Sequence, residues 1–184
     1  IVMLPYFKTK VEVQKFIEYV DGRVKTCLLL ETPEAAENVD TILSVQGIDY
    51  IHVGLNDLHL GYNMKFMFEL LANGTVELLF NKIKEKGIPY GFGGIAQLGK
   101  GTLPAENIIA EHYRLGSSGV ILSRSFCDVN KVEEKVKLSL IFKSGVSDIR
   151  DYEKELLNKN NCFFNKNKDY VWKKVMEIIG DEKY

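Results

Sequence analysis

The sequence predicts an α/β protein: a parallel sheet with helices packed over it. Short runs that are apolar throughout alternate with longer segments whose apolar residues recur at helical spacing. That is the pattern of strands buried on both faces and joined by crossover helices. The unusual polar residues also collect just beyond the ends of the apolar runs, where parallel α/β sheets hold their ligands.

The elements follow in order. "IVMLP" (1–5) is the first strand. In "KTKVEVQKFIEYVDGR", Val13, Phe16, Ile17 and Val20 share one helical face, closed by Asp21-Gly22. "VKTCLLL" (24–30) is the second strand. Thr32 is placed to cap the next helix, with Pro33 at its first position, where a missing N–H costs nothing. Val39, Ile42 and Leu43 give that helix its apolar face. Gly47 ends the connection, and "DYIHVG" (49–54) is the third strand. "TVELLFNKIKEKG" (75–87) is a helix with a glycine stop, followed by the strand "IPYGF" (88–92). "AENIIAEHYRLG" (105–116) repeats the pattern before the fifth strand, "GVILS" (119–123). Beyond it the periodicity predicts only helices, over 129–143, 146–159 and 167–179, with the Asn/Lys-rich "NKNNCFFNKNKD" between the last two.

The totals narrow the function. At 184 residues, 46% of them hydrophobic, the chain is long enough for one large domain with a real core. Lys and Arg number 24 against 25 Asp and Glu, a net charge of −1, so no basic excess argues for nucleic acid or an anionic membrane. No apolar run approaches about eighteen residues, so no transmembrane helix is expected, and no signal peptide is recognisable. Cys27, Cys127 and Cys162 are odd in number and form no CxxC pair. Such usage fits a reducing, cytoplasmic compartment without disulfides or structural zinc. The chain opens on Ile1 with a run that already has the character of a buried strand, so a portion of a longer protein is expected.

Each strand ends on something distinctive. The first runs into "YFKTK", the second into Glu31, the third into Gly54-Leu55-Asn56-Asp57, the fourth into "GFGGIAQLGKG" and the fifth into Ser123-Arg124-Ser125. Glu31 and Asp57, 26 positions apart, follow consecutive strands and are expected to face one site. Two carboxylates so placed repel unless a cation lies between them. Oxygen ligands alone favour a hard ion, Mg²⁺ or Mn²⁺, completed by waters and substrate oxygens. The structural alternative is that Glu31 caps its own helix and Asp57 is a turn residue; the pattern alone leaves both open.

The segments Glu31-Thr32-Pro33-Glu34-Ala35-Ala36-Glu37-Asn38 and Gly54-Leu55-Asn56-Asp57-Leu58 read as ET-x-x-A-x-x-N and G-x-x-D-L. In this order and at this separation they resemble the HpcH/HpaI aldolase and citrate lyase beta-subunit family, over roughly residues 1–127. The resemblance implies a TIM-like (β/α)8 barrel, of which about five βα units are present here, with a helical C-terminal extension over 128–184. It implies a divalent-metal-dependent carbon–carbon lyase, a class II-type aldolase acting next to a pyruvate-like enolate. Glu31 and Asp57 would hold Mg²⁺ or Mn²⁺, and backbone N–H groups at Asn56 and Asp57 the substrate carboxylate. The alternatives are a CoA-ester lyase of the citrate lyase beta or malyl-CoA type, acting on an acyl-CoA, and a non-catalytic barrel-derived binding protein. The family's general-base histidine and substrate-binding arginine come from earlier strands, so the resemblance assigns neither here. His59 stands where members more often carry a small residue, which predicts a more polar mouth. Five strands cannot close an eight-stranded barrel, so a C-terminal portion of a longer protein is expected, and a homo-oligomer with it.

Other residues carry competing readings. "YGFGGIA" (90–96) matches G-x-G-x-x-A, but the next strand ends at Ser123 with no acid for a ribose. Gly91, Gly93 and Gly94 instead either bring the backbone close to the metal site, with Gly93 a substrate-binding candidate, or form a tight turn. Arg124 is either a ligand for a substrate anion or half of a structural ion pair. Lys8 is a candidate for a Schiff base, although no apolar surroundings are evident to lower its pKa. Tyr6 and Phe7 either wall the pocket or pack. His52 and Cys27 read as core residues, and His112 as solvated. Phe163, Phe164 and Trp172 suggest a helix that docks on the barrel or on a partner subunit.

Overall fold

The computed structural model describes residues 1–127 and 135–181. Five strands, β1 (Val2–Leu4), β2 (Thr26–Leu30), β3 (Tyr50–Val53), β4 (Tyr90–Ile95) and β5 (Gly119–Leu122), form one sheet in the order β1-β2-β3-β4-β5. Every pairing is parallel. The expected α/β architecture is therefore present, with sequential strands as neighbours. Among the described residues β1 and β5 do not pair with each other, so the sheet is open.

Crossover helices fill the connections. α1 (Lys10–Val20) starts on a capping box, in which Thr9 and Glu12 satisfy each other's backbone N–H groups. After β2 the expected single helix is two short pieces, α2 (Pro33–Glu37) and α3 (Val39–Ile42), divided at Asn38. The stretch 55–74 holds α4 (Leu55–Gly61) and α5 (Glu69–Ala72), too short for sequence periodicity to reveal. α6 (Thr75–Glu85) and α7 (Ala105–Leu115) match expectation, α7 ending on the left-handed Gly116.

The register sorts the sheet into two faces. Leu28, Ile51 and Tyr90 form one row and Leu30, Val53 and Phe92 the next; all are buried in the main core with Phe80, Ile83 and Ile109 from the helices. The opposite face carries Met3, Cys27, Tyr50 and His52. There the Tyr50 hydroxyl lies over two glycines: a Cβ would stand 2.5 Å from it at Gly91 and 2.6 Å at Gly119. This face stays partly open, with Met3 40% and Ile121 47% exposed.

The C-terminal helices depart from the sequence reading. Residues 129–134 of the helix expected at 129–143 lie outside the described residues. From Lys135 the chain is one continuous helix, α8 (Lys135–Leu156), through the break expected near residue 145. Gly145 does not stop it; it admits the Phe126 ring, which a Cβ there would meet at 2.7 Å. α9 (Asn161–Asp181) starts earlier than expected and takes in the Asn/Lys-rich stretch from Asn161 on. Asn160 accepts a hydrogen bond from the Phe163 N–H at 3.1 Å, as an N-cap does.

α9 is docked by apolar and polar contacts together. Val171 and Val175 are buried. Asn167, also buried, donates to Asn107 O and to Glu111 Oε1, the latter at 2.8 Å. Arg114 pairs with Glu111 and Glu77, and Lys168 with Glu77. The Glu111 carboxylate, 1% exposed, is tolerable there because both oxygens are occupied. Among the described residues no helix is long and apolar enough to cross a membrane.

Candidate functional site

β2 and β3 end level, with Leu30 opposite Val53. Glu31 and the Gly54 turn therefore leave the sheet side by side. A Cβ at Gly54 would lie 2.9 Å from the Glu31 Cβ and 3.0 Å from its Oε2. Only glycine lets the turn sit this close to the carboxylate. α4 starts at once, with Asp57 in its first turn. At its far end Gly61 rests on Pro33, where a Cβ would meet the ring at 2.6 Å. The two helices that follow the acids are thus in direct contact.

The ET-x-x-A-x-x-N residues act as a clamp on the loop after β1. Glu31 Oε1 accepts the Tyr6 N–H at 3.0 Å. The Thr32 hydroxyl donates to Phe7 O at 2.8 Å and accepts the Ala35 N–H at 3.2 Å, the expected cap. Asn38 Nδ2 donates to Lys8 O, and Lys8 Nζ pairs with Glu34 at 2.6 Å. Tyr6 itself is held in the left-handed region at φ 55°, a conformation that persists in a bulky residue only when the surroundings impose it.

These elements enclose a cleft of about 530 Å³, lined among others by Tyr6, Lys8, Glu31, Glu34, Asp57 and Leu60. Glu31 is 7% exposed. Burial pushes its carboxyl above the usual range, the Tyr6 N–H works the other way, and the nearby Asp57 carboxylate raises it further. Two carboxylates lining one cleft form a donor set suited to a divalent cation. Among the described residues no group of three or more His, Cys, Asp or Glu side chains converges. Two carboxylates fit a hard ion that keeps waters and takes substrate oxygens, not a fully protein-coordinated one. Asn56 is exposed, its side chain donating to Asp57 Oδ1 at 3.0 Å. The backbone N–H groups of Asn56 and Asp57 lie in the first turn of α4, where a helix offers them no internal acceptor.

No family model matches the chain, and no curated protein matches it. Solved structures do. The citrate synthase SbnG aligns with a TM-score of 0.53 and 14% identity, over 83% of this chain and 63% of that one. An HpcH/HpaI aldolase/citrate lyase family protein from Burkholderia cenocepacia J2315 aligns with a TM-score of 0.54 and 13% identity, over 80% and 64%. The HpcH/HpaI aldolase from Desulfitobacterium hafniense DCB-2 gives 0.54 and 16%, over 80% and 62%. The chain has the fold of the HpcH/HpaI aldolase and citrate lyase proteins. It spans less than two thirds of the length of each of these three structures.

Within this HpcH/HpaI aldolase fold the other candidates separate from the cleft. Gly93, at φ 34°, serves packing: a Cβ would meet Leu55 Cδ1 at 2.8 Å. Gly91 and Gly94 likewise accommodate Gly119 and Ser123, and the three glycines are outside the lining of the cleft. Arg124 is exposed in the turn after β5, and β4 stands between that strand and β3. His59 does not make the mouth more polar; it is buried on α4 with Nδ1 3.1 Å from Leu55 O. Lys8 is in the cleft, but Glu34 raises its pKa, opposite to what a Schiff-base amine needs. Tyr6 lines the cleft, whereas Phe7 is packed.

His52 and Cys27 are buried as expected; burial pushes the imidazole down to about 4 and the thiol up to about 11. His112 is not solvated. It is 6% exposed, stacked on Phe92 with ring centroids 3.7 Å apart, and bonded through Nδ1 to Ser117 Oγ at 2.7 Å. Its charged neighbours in sequence lie on other sides of α7, and burial pushes its pKa down to about 3. Phe163 and Phe164 pack against the core, whereas Trp172 is 54% exposed. The reading from sequence missed Glu34, Leu60 and the glycine contacts at 54 and 61. The glycines after β3 were the available signal, since each sits where two backbones must approach.

Proposed function

We propose that the intact protein is a divalent-metal-dependent carbon–carbon lyase that cleaves a 4-hydroxy-2-keto acid to pyruvate, or a close analogue, and an aldehyde. The observation that carries this reading is the convergence of Glu31 and Asp57 from the ends of adjacent strands onto one cleft, where burial and the Asp57 carboxylate raise the Glu31 carboxyl. The HpcH/HpaI aldolase fold supports it.

In the cleavage the bond between C3 and C4 breaks. Its electron pair stays on the pyruvate half as an enolate; the hydroxyl proton passes to water as the aldehyde forms, and a proton from water then completes the pyruvate methyl group. Glu31 and Asp57 would hold Mg²⁺ or Mn²⁺, which would supply Lewis-acid stabilisation for the negative charge on the keto oxygen. The first-turn amides at Asn56 and Asp57 hold the substrate carboxylate, which fixes the keto acid across the cleft. Tyr6 N–H fixes one oxygen of Glu31, so the carboxylate is oriented before substrate arrives.

The test is proton exchange at the pyruvate methyl group in D₂O, followed by NMR. Exchange is expected with Mg²⁺ or Mn²⁺, is abolished by EDTA and by Asp57→Asn, and survives borohydride treatment. Losing either acid should lower kcat more than it raises KM, because the charge is greatest in the transition state. Exchange with acetyl-CoA in place of pyruvate would move the assignment to a CoA-ester lyase. Exchange with neither would leave a binding protein.

A further inference from the structure

A second cavity, of about 500 Å³, is walled by β4, β5, α7 and α8 and shares no lining residue with the acid cleft. Its volume is in the range of small-molecule sites. Glu31 and Asp57 follow the leaving ends of β2 and β3. This cavity has its polar end at Ser117, Ser118 and Gly119, where β5 begins. Ile95, Ile109, Val120 and Ile149 supply the apolar wall. The charged residues of the lining are Arg150 and Glu153, and they pair with each other. A ligand without net charge suits such a rim, because neither sign is left uncompensated.

His112 is the buried polar side chain of this wall. Its ring lies on Phe92, and its Nδ1 is 2.7 Å from Ser117 Oγ. The Ser117 hydroxyl has one proton and lies 3.1 Å from Gly119 O and 3.4 Å from Tyr90 O, which can only accept. Serine and imidazole are both satisfied when Ser117 donates to a carbonyl and His112 donates from Nδ1. That network assigns the proton to Nδ1 and leaves Nε2 with a bare lone pair. Nε2 is closed to solvent and has no partner among the described residues. Burial keeps the ring neutral, with its pKa pushed down to about 3, so protonation does not resolve the deficit. A buried acceptor without a donor is unfavourable. A donor that reaches it through the cavity has to bring apolar surface with it, because isoleucine and valine form the rest of the wall.

We propose that this cavity is a ligand site, separate from the acid pair, for an uncharged compound of the phenol class. The apolar ring lies against Ile95, Ile109, Val120 and Ile149, and the hydroxyl donates to His112 Nε2. The site is independent of the lyase reading, and the failure of either leaves the other standing.

Phenol and toluene test this, since they have nearly the same shape and differ in a hydroxyl for a methyl group. Each is titrated into the 184-residue protein labelled with ¹⁵N, and the imidazole nitrogens are followed by long-range proton–nitrogen correlation. Phenol should move the His112 Nε2 resonance upfield, as accepting a hydrogen bond does, and toluene should leave it near its starting position. His52 and His59 serve as references in the same spectra. In His112→Phe, which keeps an aromatic ring on Phe92, the ratio of the two dissociation constants should shift about tenfold toward toluene, the scale of one hydrogen bond. If that variant does not fold, the Nε2 resonance of the unaltered protein decides the matter. Absence of saturable phenol binding overturns the proposal, as does a ratio unchanged in His112→Phe. A response at His52 without one at His112 puts phenol on the open face of the sheet and overturns it too. So does an Nε2 resonance that is already in the hydrogen-bonded position before phenol is added and does not move, which means an internal water as its partner.

Discussion

Glu31 shows how one side chain sets opposing demands. Its carboxyl is raised above its ordinary value by burial and by Asp57. A raised acid binds its proton more tightly in the folded state than in the unfolded one. Its contribution is therefore fully favourable below the unfolded value near 4.5 and is lost as pH rises through the folded value. Without divalent ions, Glu31→Gln should raise the melting temperature at neutral pH, since Gln keeps an acceptor for Tyr6 N–H and carries no charge. The same change should abolish the upward shift that Mn²⁺ produces in the unaltered protein. Scanning calorimetry from about pH 4 to pH 8, with and without Mn²⁺, checks both signs; a Mn²⁺ shift that persists in Glu31→Gln and in Asp57→Asn would sink the metal site. That the two acids would stand side by side was legible in the sequence, because consecutive parallel strands end next to each other; their role was not, because the same pattern also suits a helix cap and a turn residue. Nor was what surrounds them. Tyr6 gives no sign in sequence of its left-handed backbone, and the contacts of His112 depend on α7 meeting β4, which helical periodicity does not specify.

At the scale of elements, all five strands and the helices α1, α6 and α7 could be read from apolar periodicity, since each is long or uniform enough to show one. The short helices between residues 33 and 72 span about one to two turns each, too few to establish a period. Gly145 misled the reading for a different reason. A glycine in a helical pattern signals either an end or a close approach, and only the packed structure distinguishes them. The distinction has an energetic sign. In an open helix Gly→Ala stabilises by about 1 kcal/mol. Here the added methyl meets Phe126, buried at 2% exposure. Gly145→Ala should therefore destabilise, by about 1–3 kcal/mol as overpacking does, read from the midpoint of urea unfolding. A gain in stability would mean that Phe126 is not seated against α8.

On the scale of the whole molecule, the sheet among the described residues presents two strands with one unpaired edge each and an apolar face beside them. Ile1 is 87% exposed, and Val120 and Ile121 are 37% and 47% exposed. Such edges template further strand pairing. The 184-residue polypeptide should self-associate in sedimentation velocity at micromolar concentration, and Ile121→Lys should reduce the association. A cooperative monomer without that substitution would refute the open-edge view. The docking of α9 bears on the order in which the chain is made. Glu111 is synthesised long before Asn167, the residue that occupies its second oxygen. A nascent chain can complete the cleft while α7 still holds a carboxylate only half provided for. Closure of the fold therefore waits on the last helix, and a chain broken off before it would keep all the acids of the site, with Glu111 still paired to Arg114 but its other oxygen lacking the donor that α9 brings.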